Sequence, residues 1–274
     1  MILTLNAHIS TVILGNQLPK LAVLIDADNA QSSVVNRLLS EVARYGTAHV
    51  KRAYGDWTRP NLQGWKDKLL EQSIQPIQQF AYTHGKNATD SAMVIDAMDL
   101  LYSNRFDGFC LVSSDRDFTR LAARIRESGA IVYGFGEQKT PIYRMQPFVA
   151  ACDNFIYSEN LVHIDELVPQ AHNVIVSKSH PSAEHAPNNS PLTNQLRTTV
   201  EAASDDDGWA RLSAVGQLLT TKCPAFDSRS YGYHKLSDLI SASPLFETTS
   251  RSLPNGFTEI FVRDKRRKPK SVAM

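Results

Sequence analysis

Short apolar runs alternate with longer segments of helical period through the first 160 residues. The runs Leu21–Ile25 (LAVLI), His49–Tyr54, Ile74–Phe80, Phe109–Ser113 and Ile131–Phe135 have strand length and are rich in β-branched and aromatic residues. Apolar spacing predicts helices over Ser33–Tyr45, Leu62–Gln72, Asp90–Tyr102, Phe118–Ser128 and Pro141–Cys152. Five βα units in succession predict an α/β fold, a Rossmann-like parallel sheet with helices on both faces. Such open sheets place their sites at the carboxyl ends of the strands, so the residues just after each run are where chemistry is sought.

The pattern changes after residue 166. Residues 167–190, with three prolines and few charges, have no helical period and read as a linker. Beyond it, Leu192–Ser204 and Arg211–Lys222 read as helices around the turn Asp205-Asp206-Asp207-Gly208. The segment Asp227–Ile240 reads as a third helix. Strand-like runs at Leu245–Thr248 and Phe257–Val262 flank a turn containing Pro254-Asn255-Gly256. Helices followed by a hairpin predict a second, smaller winged helix-turn-helix domain. The expected organisation is a first domain over 20–166, a linker over 167–190, a second domain over 191–263 and a basic tail over 264–274.

Composition narrows the class. A chain of 274 residues with 42% hydrophobic content suits two modest domains, and a net charge of +1 argues against a uniformly basic binder or a disordered chain. The positive charge is concentrated in Arg263–Lys270 (RDKRRKPK), which would add salt-sensitive attraction to phosphate. No apolar run approaches the ~20 residues needed to cross a bilayer, and Met1–Pro19 lacks the basic start of a secretory signal. Cys110, Cys152 and Cys223 are odd in number and widely spaced, against a disulfide framework or zinc site. A cytoplasmic protein is expected.

Carboxylates gather at the predicted strand ends. Asp26 and Asp28 follow the first run, Asp115 and Asp117 follow the fourth, and Asp90 opens the helix before the fourth. Helix capping accounts for any one of Asp26, Asp90 or Asp115, because aspartate is a favoured N-cap. It accounts for too few of Asp26, Asp28, Asp115 and Asp117 together, since each helix start needs one cap. Clustered carboxylates repel unless protons or cations neutralise them, and hard oxygen ligands suit Mg²⁺ or Mn²⁺. An ion held there would serve phosphodiester hydrolysis. Asp96 lies about 240° around the helix from Asp90 and is not expected on its face.

Other motifs add little. Gly134-Phe135-Gly136 lacks the third glycine of a dinucleotide fingerprint and comes at the last strand. His84, Lys51, Arg52, Arg59 and Lys86 lie near the predicted site and are candidate phosphate or substrate contacts if they cluster. The run Asp26-Ala27-Asp28-Asn29-Ala30 partly resembles the DxDx[TV] strand end of haloacid-dehalogenase phosphatases. It departs at Ala30, and the Asp115-x-Asp117 pair precedes Lys139 rather than following it.

Three segments carry a fuller resemblance: IDADN at Ile25–Asn29, GKNATDSAMVIDAMDLLYS at Gly85–Ser103 and LVSSDRDFTRLAARIRESGAIVYGFG at Leu111–Gly136. They are similar, in order and spacing, to the NYN domain of the PIN-like nuclease superfamily, over about Leu21 to Asn160. The resemblance implies a metal-dependent ribonuclease with a small Rossmann-like fold. Asp26, Asp90, Asp115 and Asp117 match its metal-binding acids, and Asn29 and Ser114 its supporting groups. Asp28 matches no acid that the family requires.

The segment PAFDSRSYGYHKLSDLISASPLFE at Pro224–Glu247 resembles the OST-HTH module, also called the LOTUS domain. That resemblance implies RNA binding and, in some members, a protein partner. Arg229, Tyr231, Tyr233, His234 and Lys235 mix cationic and aromatic groups suited to phosphate contact and base stacking, and join Lys86 as candidate RNA contacts. The expectation is a Mg²⁺- or Mn²⁺-dependent endoribonuclease with an RNA-binding module. A catalytically silent RNA adaptor and a small-molecule phosphatase are the alternatives.

Overall fold

The structure is a computed structural model that describes residues 18–80, 88–138, 146–161, 191–252 and 258–266. The linker at 167–190, most of the basic tail, the Pro254–Gly256 turn, His84, Lys86 and Lys139 lie outside the described residues. The chain divides into two units, taken separately below.

The larger sheet is six-stranded, of order β3-β2-β1-β4-β5-β6: β1 (Lys20–Asp26), β2 (Thr47–Gly55), β3 (Gln75–Gln78), β4 (Gly108–Val112), β5 (Ile131–Gly136) and β6 (Asn154–Tyr157). The pairs β1–β2, β1–β4, β2–β3 and β4–β5 are parallel. Five of these strands overlap the predicted runs. The sixth was not anticipated, because the four residues Asn-Phe-Ile-Tyr carry too short a pattern to register. Successive residues Leu21 to Leu24 are all fully buried, so both faces of β1 are covered, as in a central parallel strand.

Helices α1 (Val35–Val42), α2 (Trp65–Glu71), α3 (Ala88–Tyr102), α4 (Thr119–Glu127) and α5 (Gln146–Ala151) bury one stripe each. Val35, Leu38 and Val42 supply that stripe in α1, and Met93, Ala97 and Leu101 supply it in α3, at the spacing a helix needs for one face. Helix α3 packs against β1 and β2. Asp90 therefore sits in the first turn of α3, not at its cap.

The order 3-2-1-4-5-6 reverses direction between β1 and β4. At such a switch point the two outgoing loops diverge and leave a crevice at the strand ends. Asp26 ends β1, and Ser113-Ser114-Asp115 follows β4, so both acidic segments leave the sheet on the two sides of that crevice.

The second unit contains α6 (Pro191–Ala203), β7 (Ala210–Arg211), α7 (Leu212–Lys222), α8 (Leu236–Ala242), β8 (Phe246–Ser252) and β9 (Thr258–Asp264), with an antiparallel sheet of order β7-β9-β8. Leu196, Val200, Val215, Leu219, Leu239, Ile240, Phe246 and Val262 form its core. This is the order of helices and hairpin expected of a winged helix-turn-helix. The predicted third helix is split: a short turn at Ser228–Tyr231 ends at Gly232, whose φ of 83° is open to glycine and ends a helical run, and α8 starts only at Leu236. Among the described residues, no helix is long and apolar enough to cross a membrane.

Candidate functional site

Strand register explains the centre of the site. Ile25 of β1 lies opposite Val112 of β4, so the next residues, Asp26 and Ser113, meet as both strands end. Ser113 Oγ donates to Asp26 Oδ2 at 2.7 Å, and Asn29 Nδ2 donates to the same oxygen at 2.9 Å. Asp26 is fully buried, and its other oxygen, Oδ1, has no hydrogen-bond partner among the described residues. Burial pushes the Asp26 carboxyl above its usual range, against the two hydrogen bonds that favour its charged form.

The remaining acids surround it. Asp28 Oδ2 accepts from Thr89 Oγ1 at 2.9 Å, which ties the loop after β1 to the first turn of α3, and Asp28 Oδ1 is buried without a partner among the described residues. The Asp115 N–H donates to Ser113 Oγ at 3.0 Å, and Asp115 Oδ1 accepts from the Asp117 N–H at 2.9 Å. Asp115 is thus a true cap of the short turn at Arg116–Phe118, with its second oxygen not used in that capping bond. Ser114 Oγ accepts from the Glu137 N–H at 2.9 Å, joining the loops after β4 and β5.

Asp90 reports on the whole group. Partial burial, and then the charges of Asp26, Asp115, Asp117 and Asp28, push its carboxyl up to about 6. The three segments singled out in the sequence therefore do converge, and Asp28 converges with them. Among the described residues, no three His, Cys, Asp or Glu side chains form a ready-made metal-binding group. The acids are close enough to repel one another without closing into a cage.

That shift has a measurable consequence. With its folded-state value above the ordinary 3.8, Asp90 binds more protons in the folded protein than in the unfolded chain between roughly pH 4 and 6. Its contribution to stability is therefore most favourable on the acid side of that window and falls as pH rises through it. We predict that Asp90→Asn raises the stability of the ligand-free protein at pH 7 by about 1 kcal/mol, less than the full shift would give because the carboxyl is partly solvated. Thermal unfolding with EDTA at pH 4.5 and 7 measures it; an equal change at both values would contradict it.

Other candidates lie elsewhere. Asp96 forms an ion pair with Arg52 and accepts from the Tyr54 hydroxyl, linking α3 to β2. Lys51 Nζ donates to the Gln72 carbonyl, and Arg59 Nε lies 3.6 Å from Asp56. In the second unit the Arg229 guanidinium grips the Asp227 carboxylate at 2.7 to 3.0 Å, and Tyr233 packs against the core. Tyr231, His234 and Lys235 are exposed. The wing adds a cation–aromatic group that sequence reasoning did not select: Arg251 lies 5.1 Å from the Trp209 ring and 4.4 Å from that of Phe261, and Arg263 lies 4.6 Å from Trp209. Ser113 and Thr89 were also missed. Hydroxyl residues beside a carboxylate pattern are too common to stand out before the fold pairs them with it.

Two family models match the chain in order: the NYN domain over residues 20–159 and the OST-HTH/LOTUS domain over residues 187–257. No curated protein matches. Among solved structures, a protein of unknown function from Vibrio parahaemolyticus is similar at 20% identity and a TM-score of 0.43, covering 52% of this chain and 94% of that one. An uncharacterized protein from Nitrosomonas europaea is similar at 35% identity and a TM-score of 0.27, covering 36% of this chain and 100% of that one. A protein from Chromobacterium violaceum is similar at 26% identity and a TM-score of 0.25, over 31% and 91% respectively.

Proposed function

The chain belongs to the NYN domain family and continues into an OST-HTH/LOTUS domain, a pairing that ties it to nucleic acid, and from that premise we propose that it is a divalent-metal-dependent endoribonuclease of the cytoplasm. The C-terminal unit binds the RNA substrate through the exposed Tyr231, His234 and Lys235. One observation carries the reading: a fully buried Asp26 keeps an unpartnered oxygen in the midst of four further carboxylates. Buried anionic oxygen without a partner is costly, and an all-carboxylate donor set fits a hard cation such as Mg²⁺ or Mn²⁺.

Asp26, Asp90, Asp115 and Asp117 would hold the ion, with Asp28 beside them. When bound, such an ion stabilises charge on the phosphate and makes an attacking water more acidic. The chain's own residues do the rest. Ser113 and Asn29 fix the Asp26 carboxylate by holding Oδ2, so that Oδ1 keeps one direction. Thr89 does the same for Asp28, and Ser114 braces the loop that carries Asp115.

The test is incubation of the purified protein with mixed structured and single-stranded RNA, in Mn²⁺ or in EDTA, beside the Asp115→Asn variant. Cleavage that needs both the metal and Asp115 is the expected result. RNA that is bound but never cut, in any divalent ion, would replace the enzyme by a silent RNA-binding adaptor.

A further inference from the structure

A cavity of about 730 Å³ opens at the β2–β3 edge of the sheet, lined in part by α2. Its walls are mostly apolar, supplied by Trp57, Leu62, Leu69, Leu70 and Ile74, with Lys66 also lining it. Leu70 is 84% exposed at the mouth of the cavity.

The cavity comes close to one of the carboxylates, Asp28. A methyl group placed on Gly55, at the end of β2, would lie 2.8 Å from Leu62 Cδ1 and 3.8 Å from Asp28 Oδ1. A side chain there would displace the Leu62 side chain. Leu62 of the cavity and the unpartnered oxygen of Asp28 thus both lie within 4 Å of the point that a Gly55 Cβ would occupy.

The loop after β2 is built to hold an aromatic ring still. Buried Asp56 accepts from Thr58 Oγ1 at 2.6 Å and from Gln78 Nε2 at 2.9 Å. Gln78 Oε1 in turn accepts from the Trp57 N–H at 3.0 Å, and the indole Nε1 donates to the Ile77 carbonyl at 3.1 Å. Trp57 meets Trp65 edge to face, with centroids 6.5 Å apart and planes at 74°. Its one polar group is already used, so what the ring offers a ligand is its π surface. A fixed π surface with apolar walls and a nearby ammonium recognises a flat aromatic group that carries a phosphate.

We propose that this cavity is a base subsite, taking the nucleobase of a nucleotide next to the phosphate that lies at the acidic cluster in single-stranded RNA. The inference rests on the ribonuclease reading for the position of that phosphate. Stacking on Trp57 and burial against Leu70 hold the base, and Lys66 meets a neighbouring phosphate. Because every base has a π face, the subsite tolerates sequence but requires an unpaired nucleotide.

The experiment uses the full chain carrying Asp26→Asn, so that RNA survives, and a short oligouridine RNA in which some uridines are 4-thiouridine. Irradiation followed by peptide mapping locates the bases. Cross-links within residues 57–74 are expected, with their yield falling about tenfold when Leu70→Glu is added, while cross-links to residues 191–266 stay unchanged. The exposure of Leu70 makes that second change harmless to folding, which circular dichroism checks. Absence of cross-links in 57–74, or yields indifferent to Leu70→Glu, overturns the subsite. The readout does not depend on cleavage. A wild-type protein that cross-links there but never cuts RNA keeps the subsite and loses the enzyme; one that cuts without those cross-links does the reverse.

Discussion

On the proposed ribonuclease reading, Asp26→Asn is expected to lower the single-turnover rate of RNA cleavage in Mn²⁺ by roughly a thousandfold or more, with the fold intact. The two side chains have the same shape, so the amide oxygen takes over the hydrogen bonds from Ser113 and Asn29. The amide nitrogen then replaces Oδ1 and points a positive hydrogen into the place where negative charge is required. The variant also removes a buried carboxylate that burial already disfavours, so its thermal stability equals or exceeds that of the wild type. Asp28→Asn, in which the other unpartnered oxygen is lost, is expected to reduce the rate by at least about tenfold. The family pattern assigns that residue no role, whereas its position in the fold does. Wild-type rates in Asp26→Asn would move the active centre elsewhere; wild-type rates in Asp28→Asn would return Asp28 to a purely structural role.

Asp96→Ala destabilises the protein by about 3 kcal/mol in urea titration. Arg52 and Asp96 are each about three-quarters buried, with side-chain exposures of 25% and 22%, and the Tyr54 side chain is fully buried with its hydroxyl on Asp96. Removing the carboxylate leaves a guanidinium and a phenol without their partner. Asp96→Asn keeps one acceptor for Tyr54 and is expected to cost about half as much. A loss below about 1 kcal/mol in Asp96→Ala would mean that water replaces the carboxylate. The network lies on the same helix as Asp90 but serves the packing of α3 on β2. A residue type shared with the cluster therefore does a different job six positions away.

Much of this was legible in the chain. Leu21–Ile25, Phe109–Ser113 and Ile131–Phe135 announce strands because runs of β-branched and aromatic residues of that length are buried in no other way. The stripe of Val35, Leu38 and Val42 announces a helix because 3.6 residues per turn put them on one face. The acidic segments at strand ends were visible for the same reason, as carboxylates that helix capping alone could not absorb. Less was visible where the signal was short or shared. Strand β6 is four residues long, and the segment around Gly232 reads as one helix until its positive φ breaks it in two.

What the sequence by itself determined is therefore local: which of the longer stretches are strands and helices, roughly where they lie, and which residue types stand near their ends. These depend on neighbours within one or two turns of the chain. Only the tertiary structure decided which acids act together. Ser113 holds Asp26 from 87 residues away through strand order and register, and Thr89 holds Asp28 from 61 through the packing of α3 on β1. The same holds for the Asp90 carboxyl, pushed up to about 6 by its burial and by the charges of acids in two other loops, and for the Trp57 ring, held by the Ile77 carbonyl. Electrostatic and packing energies fall with distance in space and are blind to distance along the chain.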